Sequence, residues 1–225
     1  MKRFWTNARA EDRAVLLDDK PVRTPNRKAL VLPTDALAQA IADEWNAVGE
    51  ELDPRALPLT GLANAAIDIV TPDPEAFAAT LAKFGETDLL SYRAPRPTTL
   101  VARQAAAWDP LLDWARRRYD VHIETATGIV HRAQPVLTVS RLRDAMVARG
   151  PFELAGLSPI VTIGGSLVAG LALAERAFGA DTLWDAVSLD DQWQIERWGE
   201  DDLAVRTHAA RHAEWLAATR FLSLL

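Results

Sequence analysis

The residues with the types and spacing to do chemistry lie close together near the C-terminus. Ser188–Asp202 reads SLDDQWQIERWGEDD and holds six acids, Asp190, Asp191, Glu196, Glu200, Asp201 and Asp202, against one base, Arg197. Its net charge of −5 accounts for most of the −6 of the 225-residue chain. Carboxylates crowded in this way can ligate a divalent cation, form a solvated acidic face or meet a basic partner. The Asp-x-Asp-x-Asp-Gly pattern of a calcium loop is absent and no histidine interleaves the acids, so nothing favours a cation. Two like charges ~6 Å apart repel by roughly 0.7 kcal/mol in water. Basic groups of this chain or of a partner must therefore answer the cluster. Trp193 and Trp198 sit inside the charge. On a helix they point about 140° apart, so one is expected in the core and the other is free. Concentrated charge around an exposed indole points to a protein-binding surface. Ser188 and Asp191 have the spacing of a helix cap, which gives Asp191 a structural role and leaves Glu196–Asp202 for the partner.

Other constellations are weaker. His208 and His212 are four apart, a spacing that suits zinc. The glutamate that follows the first histidine in the zincin motif is replaced by Ala209, and no third ligand is defined. A metal-dependent hydrolase using this pair or the acidic cluster is the alternative to a binding protein. His122 and His131 flank Glu124, and a triad with Ser140 or Ser166 can be drawn, but there is no G-x-S-x-G elbow. Gly164–Gly170 matches neither a phosphate loop nor G-x-G-x-x-G. Arg116, Arg117 and Arg118 fit a helix C-terminus, where positive charge complements the dipole. No catalytic constellation stands out.

The elements that must position these residues follow from periodicity. Short extended segments at 3–6, 14–17, 21–23 and 29–32, separated by turn residues, predict a small antiparallel meander. Thr34 is placed to cap a helix with Leu37, Ile41, Trp45 and Val48 on one face and Gly49 as its stop. Asp53–Pro58, with two prolines, reads as a linker. A helix over 60–70 follows, with Asn64 and Asp68 four apart and able to bond each other or nearby backbone. Asp73-Pro74 starts another helix. Residues 86–93 suit strand or helix equally. Helices over 98–108 and 110–119 are expected to break or kink at Asp109-Pro110. Residues 121–139 suggest a short strand or hairpin, and 140–149 a helix.

Between Glu153 and Glu175 lie 21 uncharged residues. Ser158-Pro159 reads as a helix start, leaving 16 residues, too few to span a bilayer. A buried central helix from Pro159 to Phe178, capped by Gly179 and with no membrane insertion, is expected, followed by helix from Asp181 to the end with at least two breaks. The pattern predicts an α+β fold: a small antiparallel β-rich N-terminal domain with one packed helix over 1–55, and a larger, mainly helical domain over 56–225. The 49% apolar content suits a packed core. A pI near 5.3 argues against nucleic acid. With no cysteine there are no disulfides or thiolate sites.

Three stretches carry a family resemblance. Leu57–Asp68, LPLTGLANAAID, is close to M-P-L-T-x-L-A-N-T-A-I-D. Thr87–Arg93, TDLLSYR, is followed by WDPLLDW over Trp108–Trp114. Leu189–Gly199 contains W-Q-I-x-[KR]-W-G, and Glu44-Trp45 also fits. On these residues the chain resembles the ATP-twelve family of assembly chaperones for the alpha subunit of the ATP synthase catalytic head. Leu57 stands in place of Met and Ala65 in place of Thr, both small local changes. The resemblance implies a chaperone, not an enzyme, that binds free alpha subunit, prevents its aggregation and releases it as the beta subunit docks. It implies no nucleotide or other cofactor, and a β-rich part followed by a helical one. A monomer is expected, in a bacterial cytoplasm, or in the mitochondrial matrix if a leader has been removed.

Overall fold

The structure is a computed structural model and describes residues 2–199 and 202–225. It divides into two compact units, one comprising Met1–Pro74, Gly150–Leu157 and Leu216–Leu225, the other Glu75–Arg149 and Ser158–Trp215. The class is α+β, with a small antiparallel sheet near the N-terminus and helices thereafter. Residues 56–74, 150–157 and 216–225 lie with the N-terminal unit, so that unit is not bounded by a cut at residue 55.

In the first unit, β1 (Ala8–Glu11), β2 (Ala14–Leu17) and β3 (Lys20–Pro21) form the meander in the order β1-β2-β3. Ala8 lies opposite Leu17 and Leu16 opposite Pro21. Isolated bridges Arg23–Ala29 and Ala14–Val31 extend the pairing. The segment 3–6 is not a strand. Instead the Arg3 guanidinium donates to the carbonyls of Trp5, Thr6 and Val48.

Helix α1 (Asp35–Ala47) is capped as its sequence requires, with Thr34 Oγ1 accepting from Leu37 N at 3.1 Å. It buries Leu37, Ala38, Ile41 and Ala42 in one cluster with Val15, Leu30 and Leu32. Each fully buried Leu or Ile of that seam contributes about 1.5–3 kcal/mol. Trp45 meets Trp5 edge-on at 5.0 Å. The helix ends at Ala47, before Gly49. α2 (Pro58–Ala65) starts at Pro58 rather than Thr60, because a distant carboxylate caps it. Glu44 accepts from Leu59 N at 2.7 Å and from Thr60 N and Oγ1 at 3.0 Å each, and Trp45 Nε1 donates to Thr60 Oγ1 at 3.1 Å. Burial pushes the Glu44 carboxyl upward, and the α2 amides oppose that shift.

The chain then widens into a π turn over Ala66–Val70, closed by Thr71 N donating to Ala66 O. Asp68 does not pair with Asn64. It accepts from Thr24 Oγ1 and Asn26 N, both at 2.9 Å, and so holds the hairpin loop. From the C-terminal segment, Phe221 joins the same apolar cluster and stacks on Phe152 at 6.3 Å.

The second unit begins with α3 (Pro74–Ala82), whose first residue still belongs to the first unit. A 3-10 turn at Leu89–Ser91 leads into β4 (Tyr92–Arg93). α4 (Thr98–Tyr119) is one helix, unbroken at Pro110. Pro110 and Ala106, whose carbonyl loses its partner, both lie exposed, so water satisfies that oxygen and the expected break does not occur. β5 (Ala126–Thr127) pairs parallel with β4, and the rest of 121–135 is irregular. α5 (Val136–Val147) starts four residues before Ser140.

The apolar stretch folds as two helices, α6 (Pro151–Gly164) and α7 (Leu167–Ala174). α6 starts at Pro151, where Gly150 N donates back to Glu153 at 3.0 Å, and continues through Pro159. The start expected at Ser158-Pro159 is overridden because Pro159 lies in a buried run whose packing outweighs one lost hydrogen bond. The break comes at Gly165, in the left-handed region at φ +62, after which Ser166 Oγ accepts from Ala169 N and caps α7. A methyl group on Gly170 would lie 2.5 Å from Val161, so the small residue there permits the close approach of α7 to α6.

Gly179 is not a C-cap; it precedes α8 (Ala180–Val187). α9 (Leu189–Trp198) and α10 (Asp202–Ser223) complete the chain. Among the described residues, no helix is long and apolar enough to cross a membrane.

Candidate functional site

α9 carries most of the residues singled out by sequence, and its neighbours sort them. Trp193 is 8% exposed, with the guanidinium carbons of Arg103 and Arg197 at 5.2 and 4.9 Å from its ring centre. Trp198, at the C-terminal end of the same helix, is 79% exposed. The two indoles thus lie on different faces of the helix, Trp193 inside and Trp198 outside. Gly199, at φ +81, ends the helix. Asp202 opens α10, where its carboxylate favours the positive end of the dipole, and Leu203 behind it is 65% exposed. Glu200 and Asp201 lie outside the described residues.

The remaining acids are answered from within the chain. Asp190 accepts from Gln104 Nε2 at 2.8 Å, Asp191 from Arg211 Nη1 at 2.8 Å and Glu196 from Arg103 Nη1 at 2.7 Å. Arg211 also donates to Ile163 O. Both ion pairs are partly exposed, so each contributes about 0–1 kcal/mol to stability. The cap proposed for Ser188 and Asp191 does not form. Ser188 Oγ donates to Trp184 O and accepts from Gln192 Nε2, while Asp191 is drawn away to Arg211. Arg116 and Arg118 do not answer the cluster either. Arg116 bonds Asp113 and Ile123 O, and Arg118 bonds Glu175.

Within this unit, α9 and α10 enclose a groove of about 420 Å³, walled by Ile195, Trp198, Leu203 and Ala204, with Asp191 and Arg211 at its polar side. An apolar groove next to an exposed indole can seat an apolar side chain of another protein.

The histidine sites do different work. His208 and His212 lie 5.2 and 4.6 Å from the Trp184 ring, the second stacked on it. Their helical spacing serves aromatic packing, and among the described residues no group of three or more His, Asp or Glu side chains could hold a metal. His122 pairs with Glu124, while His131 lies near Glu86 and Tyr92. Ser166 is sealed in the core as the α7 cap, and Ser140 is exposed on α5.

Three partners of α9, Arg103, Gln104 and Arg211, were not singled out by sequence. They come from α4 and α10, and only the excess of acids signalled that such groups had to exist. Asp88 was also missed. Buried to 1% exposure, it accepts from Leu90 N at 3.0 Å and Val168 N at 2.9 Å, tying the TDLLSYR segment to α7. Burial pushes its carboxyl up to about 6, against the pull of its hydrogen-bond donors.

With this geometry established, the relatives are informative. Residues 2–116 match the family model described as ATP12 chaperone protein. The mitochondrial protein atp12 of Schizosaccharomyces pombe is 24% identical over 214 residues, covering 88% of this chain and 74% of its own. The crystal structure of Atp12 from Paracoccus denitrificans superposes with a TM-score of 0.92 at 43% identity, over 99% of this chain and 97% of that one. The Atu1473 protein of Agrobacterium tumefaciens gives a TM-score of 0.93 at 36% identity, over 99% of this chain and 85% of that one. With half of its length matched by the family model and nearly all of it shared with these structures, the chain belongs to the ATP12 chaperone family.

Proposed function

We propose that this ATP synthase assembly chaperone binds the free alpha subunit of the proton-translocating catalytic head and prevents its aggregation until the beta subunit docks. It acts by surface complementarity, without a cofactor, as a monomer in the cytoplasm, or in the matrix of a mitochondrion. The observation that carries this proposal is Trp198, an indole left 79% exposed at the mouth of an apolar groove that Ile195, Leu203 and Ala204 also line. An exposed indole that continues into an apolar groove offers a contiguous apolar patch, and aromatic anchors dominate binding energy at interfaces. Among the candidate residues, Trp193, Asp190 and Asp191 are assigned to holding α9. Glu196, expected at the partner surface, is likewise taken up in holding α9 through Arg103, so Trp198 and Asp202, together with Glu200 and Asp201, are assigned to the client. Membership of the family supports a chaperone role.

The test is capture of purified alpha subunit, compared with purified beta subunit, by the full chain and by Trp198→Ala. Ile129→Ser serves as a control, because Ile129 is 97% exposed elsewhere on the second unit. Selective capture of alpha that falls at least about tenfold in Trp198→Ala and not in the control is expected. Equal capture of alpha and beta would refute the assignment of the client.

A further inference from the structure

α9 has one fully buried side chain, Trp193, with Leu189 and Ile195 half-buried, whereas the shorter α8 fully buries Leu183, Trp184, Ala186 and Val187. Apolar burial is non-directional, so this small apolar face fixes how far α9 stands from its neighbours but only loosely fixes its rotation. The direction comes from polar contacts: α10 holds Asp191 through Arg211, and α4 supplies the rest. Arg103 lies over the Trp193 ring and donates to Glu196, and its neighbour Gln104 donates to Asp190. Residues 190 and 196 are roughly 9 Å apart along a helix, so α4 grips α9 at two separated points. A planar guanidinium can lie against an indole and donate a hydrogen bond in its own plane at the same time. A lysine ammonium offers a point charge without the plane. Gln104 is itself fixed, since its Oε1 accepts from Ala94 N at 2.8 Å.

We propose that Arg103 is a positioning residue for client binding: its grip on Trp193 and Glu196 sets the rotation of α9 that turns Trp198 outward. This rests on the assignment of Trp198 to the client. Arg103 acts through α9 and does not itself meet the client.

The test uses full-length wild type, Arg103→Ala, Arg103→Lys, Trp198→Ala and the Arg103→Ala/Trp198→Ala double variant, with purified alpha subunit as the probe. Hydrogen exchange is followed in parallel. Arg103→Ala is expected to weaken capture about tenfold, with Arg103→Lys between it and wild type. The double variant is expected to bind no more weakly than Trp198→Ala alone, because a residue that acts only through Trp198 has nothing left to position. Amide exchange is expected to quicken in residues 189–198 while the rest of the second unit keeps its protection. Undiminished capture by Arg103→Ala overturns the proposal. Additive losses in the double variant also overturn it, because Arg103 would then touch the client, and so does faster exchange across the whole unit, because the loss would then be unfolding. If Trp198→Ala captures as well as wild type, the client assignment itself falls. If Trp198→Ala fails to capture and Arg103→Ala does not, only the positioning role falls.

Discussion

The α1–α2 region and the α9 region both bring carboxylates to a helix, by opposite means. In the first, Glu44 rides on a helix already fixed by Leu37, Ile41 and their apolar cluster, and spends its oxygens on the amides of α2. In the second, the helix has little apolar anchorage, and Asp190, Asp191 and Glu196 are themselves the handles by which α4 and α10 hold it. Apolar burial yields stability, whereas partly exposed polar contacts yield orientation with little stability. A binding helix benefits from the second arrangement, because it can leave an indole in water without depending on it for folding.

The comparison can be broken first in the core. Ile41→Ala should cost about 2–5 kcal/mol in urea unfolding, by lost transfer and a cavity under the sheet. A loss below about 1 kcal/mol would show that the α1 seam is not the anchor described. Asp88→Asn should act next, and through pH. The carboxyl is raised to about 6 in the fold from 3.8, so its contribution to stability is fully present below about pH 4 and is lost as pH rises through 6. Wild type should therefore lose up to about 3 kcal/mol relative to Asp88→Asn between pH 4 and pH 7. Parallel stability–pH curves for the two proteins would contradict this.

Glu44→Ala should cost about 1–2 kcal/mol by stripping the cap from α2, and the loss should appear as faster amide exchange at Leu59 and Thr60. At the small end, Glu196→Gln should change thermal stability by no more than about 1 kcal/mol. Trp198→Ala should stay within about 0.5 kcal/mol of wild type while losing client capture. A destabilised Trp198→Ala would mean that the indole belongs to the fold after all.

What was legible depended on whether the cause was local. Thr34 and the Leu37/Ile41 period announced α1, because a cap and an apolar stripe are short-range signals. In the meander β2 is legible, but β1 at Ala8–Glu11 and its turn at Asp12-Arg13 are not, because neither an apolar alternation nor a glycine or proline marks them. Pro110 and Pro159 misled, because a proline is decisive only when its helix has nothing else to hold it. One lies exposed, where water serves the freed carbonyl, and the other lies in a buried run. Glu44 and Trp45 were noticed as a pattern, but their bonds to Thr60 depend on how α2 returns across α1. At the candidate site, sequence found the acids and both indoles. It missed Arg103, which lies 93 residues from Glu196.

By itself the sequence determined the α+β class, the family and the concentration of charge and indole in Ser188–Asp202, because composition, short-range periodicity and motif spacing are properties of the chain. Only the tertiary structure decided that Trp193 is inside and Trp198 outside, that His208 and His212 pack on Trp184, and that side chains from two other helices answer the acids. Those outcomes depend on which surfaces meet when the helices pack. A charge or an aromatic ring takes its role from the neighbour it finds, and that neighbour lies far away along the chain.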